Sequence, residues 1–156
     1  MGLSLLLHLF KYLKMIIVFR VDSSNIIGSG HVQRCLNFAQ LYENKNTILF
    51  ITKKHLFSLS EKIKKKYTCY ELELENFNKV NLDYNTWLGE EELIDAEKTI
   101  SVLKKNNIDA DWLIIDHYAI TPTKKKNETK RRSLKIAKIA SYSVYITRSF
   151  MTSFKG

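Results

Sequence analysis

The stretch "FRVDSSNIIGSGHVQRC", Phe19 to Cys35, constrains the fold more than any other. It follows an apolar β-branched run that starts at Ile16 and ends in a polar residue, Asp22, the pattern of a strand buried on both faces. After Gly30, the residues Val32, Cys35, Leu36 and Ala39 recur at helical spacing, with Gln33, Arg34, Asn37 and Gln40 on the opposite side. A strand feeding a helix through a glycine loop is the opening of a β-loop-α unit, and the units that follow repeat it. "NTILFIT" (Asn46 to Thr52) reads as a second strand and "HLFSLSEKIKKKY" as a short helix whose Lys62, Lys64, Lys65 and Lys66 face water. "TCYELEL" alternates as a third, more exposed strand. "FNKVNLDYNTWLG" is a loop in which Tyr84 and Trp87 read as packing aromatics. "EEELIDAEKTISVLKKNN" is a helix with acids first and lysines last, as the helix dipole prefers, and a predicted buried stripe of Leu93, Ala96, Ile100 and Leu103. "DWLIIDHY" closes the series as a fourth strand.

Strands alternating with helices imply an α/β protein with a doubly wound parallel sheet. Ligands of such sheets bind beyond the carboxyl ends of the strands. The segment from Asp22 to His31 and the segment Asp116, His117 and Tyr118 both fall there, so topology predicts that they converge across some 90 residues of chain.

The glycines Gly28 and Gly30 allow a tight turn or a close ligand, but the third glycine of a dinucleotide fingerprint and the Lys-Ser/Thr of a P-loop are absent. His31 sits at the helix mouth, where the positive end of the dipole favours a neutral imidazole that can act as a base. Asp22 can bond the loop amides, orient His31, or serve only as a turn residue. Arg34, one turn from His31, reads as a contact for a phosphate or for a carboxylate of a facing domain, or else as a surface arginine. No spacing of His, Cys or Asp matches a metal motif, so no metal and no cofactor is expected.

Charge divides the chain. Up to Pro122 there are 15 Lys and Arg against 15 Asp and Glu, whereas the segment 123–156 holds 10 Lys and Arg and one acid, Glu128. The net charge of +9 is therefore a property of the last 34 residues, and any claim of a nucleic-acid partner rests on them. They lack RNA-binding or helix-turn-helix patterns, so no specific nucleic acid is expected. At the other end, the apolar run Leu3 to Phe10 is too short for a bilayer and lacks the flanks of a signal peptide. Residues 1–14 read as an upstream extension before a native start at Met15, with no membrane partner and a cytoplasmic location expected. The two cysteines, Cys35 and Cys69, read as thiols of a reducing compartment.

Three motifs in order, "FRVDSSNIIGSGHVQRC", "WLGEEELIDA" and "DWLIIDHYAI", resemble the UDP-2,4-diacetamido-2,4,6-trideoxy-β-L-altropyranose hydrolases of pseudaminic acid biosynthesis, over about Met15 to Thr121. The resemblance implies a Rossmann-like N-terminal domain, residues 15–122, of a two-domain GT-B-type fold. It implies metal-independent hydrolysis of a UDP-sugar at the anomeric carbon with inversion. His31 would be the catalytic base and Tyr118 would lie near the sugar. Asp22, Gly28 and Gly30 would shape the sugar-facing wall. The family continues into a second domain where this chain has its basic tail. That break reads as a shifted frame or a truncated gene, leaving a half that is expected to show little or no hydrolase activity alone. The alternatives are a GT-B-type glycosyltransferase half-domain and a non-catalytic binding protein with a basic tail. Oligomeric state is not legible in the sequence.

Overall fold

The computed structural model describes residues 14–75 and 79–120, together with the backbone of two strands at 135–139 and 142–146. The expected upstream extension, except for Lys14, lies outside the described residues, as does most of the basic tail. The order of elements is β1 (Ile16–Val21), α1 (Gly30–Tyr42), β2 (Thr47–Lys53), α2 (Ser60–Lys64), β3 (Thr68–Leu72), a 3-10 turn (Tyr84–Thr86), α3 (Glu92–Lys105), β4 (Trp112–Asp116), β5 (Lys135–Ile139) and β6 (Tyr142–Ile146).

The first four strands form one parallel sheet in the order β3-β2-β1-β4. The α/β expectation is met, and the strand order is Rossmann-like. The chain crosses from β3 over to the far side of β1 to lay down β4, so the sheet changes winding direction between β1 and β4. The carboxyl end of that pair is the switch point at which ligands of such sheets bind. The register places Val21 opposite Asp116 there. Strands β5 and β6, within the tail, pair antiparallel as a two-stranded ribbon.

Strand parity divides the core in two. Ile17, Phe19 and Val21 face one side and pack with Val32, Cys35, Leu36 and Ala39 of α1 and Ile63 of α2. Val18 faces the other, with Leu49, Ile51, Leu72 and, beyond α3, Leu103 and Ile108. Phe19 and Phe50 stack at 4.9 Å across β1 and β2.

Two expectations need correction. The helix read over 55–67 is only Ser60–Lys64. Ahead of it, Phe57 takes a left-handed φ of 58°, which no helix accommodates, and the Ser58 hydroxyl accepts the Ser60 amide instead. On α3, Leu103 is buried as expected, but Leu93 is 67% exposed, Ala96 is exposed and Ile100 is half-buried. The inward residues are Asp95, Thr99 and Leu103. The partner that draws Asp95 inward is Arg20, which strand parity places on the α3 side of β1.

Candidate functional site

Helix α1 begins at Gly30 with no side chain capping its first turn. The loop before it is closed by the Ser24 hydroxyl, which accepts the Ile26 and Ile27 amides, and by the Gly28 amide donating to the Ser24 carbonyl at 2.8 Å. Gly28 has a φ of 80°, so glycine is needed there. A Cβ at Gly30 would meet nothing within 4 Å, so Gly30 leaves open space at the helix mouth.

The helix presents His31, Arg34 and Cys35 on one face, three and four residues apart. All three converge on one carboxylate, Asp116 at the end of β4. His31 Nδ1 lies 2.9 Å from Asp116 Oδ1. Arg34 donates from Nε to Oδ2 and from Nη2 to Oδ1, each at 2.8 Å. Cys35 Sγ is 3.7 Å from Oδ2. The predicted convergence of the two strand ends is thus a direct contact. Burial pushes the Asp116 carboxyl upward, but the bonds from His31 and Arg34 outweigh it and hold the group below the usual carboxylate range.

These contacts bear on the imidazole tautomer. Arg34 Nη2 is also 3.1 Å from His31 Nδ1, and a guanidinium can only donate. A bare Nδ1 accepting from Arg34 would set its lone pair against an anionic oxygen at 2.9 Å. The tautomer that these contacts favour has its proton on Nδ1, donated to Asp116. Nε2 has no hydrogen-bond partner among the described residues.

The His31 ring is itself buried, 6% exposed, beside aromatic neighbours. Tyr118 meets the His31 ring edge-on at 4.7 Å, Trp87 meets it at 6.4 Å, and Tyr84 lies 6.4 Å from Tyr118. Tyr118 and Tyr84 are about half exposed. The packing role read for Trp87 and Tyr84 is too narrow, since both belong to the wall around His31. Only contact across some 55 residues of chain places Trp87 there, and no local pattern signals it.

Asp22 has a different place from that expected. It is fully buried and does not touch His31. Its Oδ1 accepts Arg20 Nη1 at 2.6 Å and the Lys53 amide at 2.7 Å, and its Oδ2 accepts Arg20 Nη2 at 2.9 Å. Burial would raise its pKa, but Arg20, then His117 and His55, hold it well below the carboxylate range. His117 Nδ1 accepts the Ala119 amide, so its proton is on Nε2 and points toward Asp22 Oδ2 at 3.2 Å, in a contact too bent for a full hydrogen bond. Burial lowers the His117 pKa more than Asp22 raises it. Arg34, read as a possible phosphate contact, is bound to the carboxylate of its own domain.

Among the described residues, no group of three or more His, Cys, Asp or Glu side chains is disposed to hold a metal ion, and no helix is long and apolar enough to cross a membrane. What fold and site define together is an α/β protein with a Rossmann-like parallel sheet and an Asp-oriented histidine at its switch point. No family model and no curated protein matches the chain.

Proposed function

We propose that this chain is the N-terminal, sugar-facing half of a metal-independent inverting hydrolase of GT-B type, acting on UDP-2,4-diacetamido-2,4,6-trideoxy-β-L-altropyranose in the cytoplasm. The single observation that carries the reading is the His31–Asp116 pair at the β1/β4 switch point. Inversion needs a base that activates water on the face opposite the leaving group. His31 Nε2 takes the water proton, Nδ1 keeps its proton in the hydrogen bond that Asp116 accepts, Asp116 stabilises the imidazolium that forms, and Arg34 keeps Asp116 anionic. Water then attacks the anomeric carbon as the bond to UDP breaks with its electron pair on the diphosphate. Tyr118, against the imidazole and half exposed, faces the sugar. Asp22, behind this surface, holds Arg20 and the β2 end and shapes the wall indirectly. Gly28 and Gly30 keep the helix mouth open.

The test is release of UDP from that UDP-sugar with the chain in excess, so that one slow turnover is visible, and with the product anomer read by NMR. The expected result is UDP release with inversion, abolished by His31→Ala. UDP release that persists undiminished in His31→Ala overturns the proposal.

A further inference from the structure

One buried cation is unused by this chemistry. Lys53 ends β2, is fully buried, and its ammonium reaches across to the loop ahead of α3. Its Nζ donates to the Leu88 carbonyl at 2.5 Å and to Glu90 Oε1 at 2.6 Å, and lies 3.1 Å from Asp95 Oδ1. Glu90 is clamped from its other oxygen by Lys98 at 2.6 Å. Burying an ammonium costs several kcal/mol before its partners repay it, and an aliphatic side chain would fill the same space. What the ammonium supplies is a direct hold on the main chain beside Trp87. The remaining ties act on the same segment. Trp87 Nε1 donates to the Asn81 carbonyl at 3.0 Å, and Leu88, 2% exposed, packs on Ile120 just past Tyr118. Trp87 is thereby held 6.0 Å from Tyr118 and 6.4 Å from His31, ring to ring.

We propose that Lys53 is a positioning residue for the His31 site and acts through Trp87, whose indole forms a wall for the pyranose ring beside Tyr118. The proposal rests on the hydrolase reading above. An indole and a phenol offer the flat apolar surface on which the C–H face of a sugar packs, and they leave its hydroxyl and amide groups to polar neighbours. Misplacing such a wall by an ångström degrades alignment of sugar, water and imidazole.

The experiment uses the full chain carrying Trp112→Phe, which leaves Trp87 as the only tryptophan. Lys53→Met, Trp87→Leu and their combination are compared, with Ile63→Val, in the core on the opposite side of the sheet, as a control for lost stability alone. Lys53→Met is expected to shift Trp87 emission to the red and increase its quenching by acrylamide. Lys53→Met and Trp87→Leu should each slow UDP release about tenfold, and the double variant no more than Trp87→Leu alone, because one residue acts through the other. Unchanged Trp87 emission in Lys53→Met, losses that multiply in the double variant, or a loss matched by Ile63→Val overturns the proposal. If Lys53→Met does not fold, Trp87→Leu still decides, since unimpaired release removes the wall through which Lys53 would act. Where the parent chain releases no UDP, the emission of Trp87 is the readout that decides whether Lys53 positions it.

Discussion

Replacing Asp95 by alanine should destabilise the protein far more than replacing Leu93, two residues earlier on α3, by serine. Asp95 accepts Arg20 Nε at 3.1 Å and Nη2 at 2.6 Å and faces Lys53 Nζ at 3.1 Å, with all three side chains 3% exposed or less. Its loss strands two guanidinium N–H groups and part of an ammonium in a dry interior. Removing one partner of a buried ion pair costs about 3–5 kcal/mol. Arg20 keeps both bonds to Asp22, and Lys53 keeps Glu90 and the Leu88 carbonyl, which places the expected cost near the lower end, about 3 kcal/mol. With a urea slope of about 1.5 kcal/mol per molar, the unfolding midpoint falls by about 2 M. Leu93, two-thirds exposed, should cost about 0.5 kcal/mol or less. Urea titrations followed by far-UV circular dichroism measure both. Should Leu93→Ser lower the midpoint as far as Asp95→Ala, α3 packs by its leucine stripe and the account of its inner face is wrong.

Acid should destabilise the fold in two stages. His117 has a folded pKa below its usual 6.5, through burial, so the unfolded chain takes up its proton first and stability declines as pH falls from about 6.5. Asp22, Asp95 and Asp116 are likewise held below the usual 3.8, so their contribution, complete above that value, is lost as pH falls beneath it. Urea midpoints between about pH 8 and pH 5 should drop, and His117→Asn should flatten that slope; a midpoint that rises on acidification contradicts the sign. Gly28→Ala should cost about 1–2 kcal/mol because its φ is 80°, while Gly30→Ala should change stability little. Thermal melts distinguish the two, and equal melting temperatures would remove the argument for a left-handed turn.

Much of the scaffold was legible because hydrophobic periodicity and strand-helix alternation are local signals. Ile16 to Val21, the α1 face of Val32, Cys35, Leu36 and Ala39, and the strand ending at Asp116 all declare themselves this way. Topology then carried the argument from two strand ends to one sheet edge, but it offered Asp22 as the carboxylate to orient His31, and Asp116 holds that place instead. The failures are of another kind. Leucines outnumber carboxylates as core residues, so Leu93 outranks Asp95 until Arg20 is known to wait beneath it. Trp87 and Lys53 meet the site through partners 30 residues or more away, and no window of sequence holds both ends of such a contact. Phe57 ends a helical reading by a backbone angle that its residue type does not announce.

The imidazole and the carboxylate that aims it stand 85 positions apart in the chain. During synthesis His31 emerges early and then waits, without orientation, until the last strand of the parallel sheet has left the ribosome and docked beside the first. A nascent chain halted anywhere between residues 31 and 116 would carry the imidazole but not its aim. Chemistry at this site is therefore a property gained only when the sheet is complete.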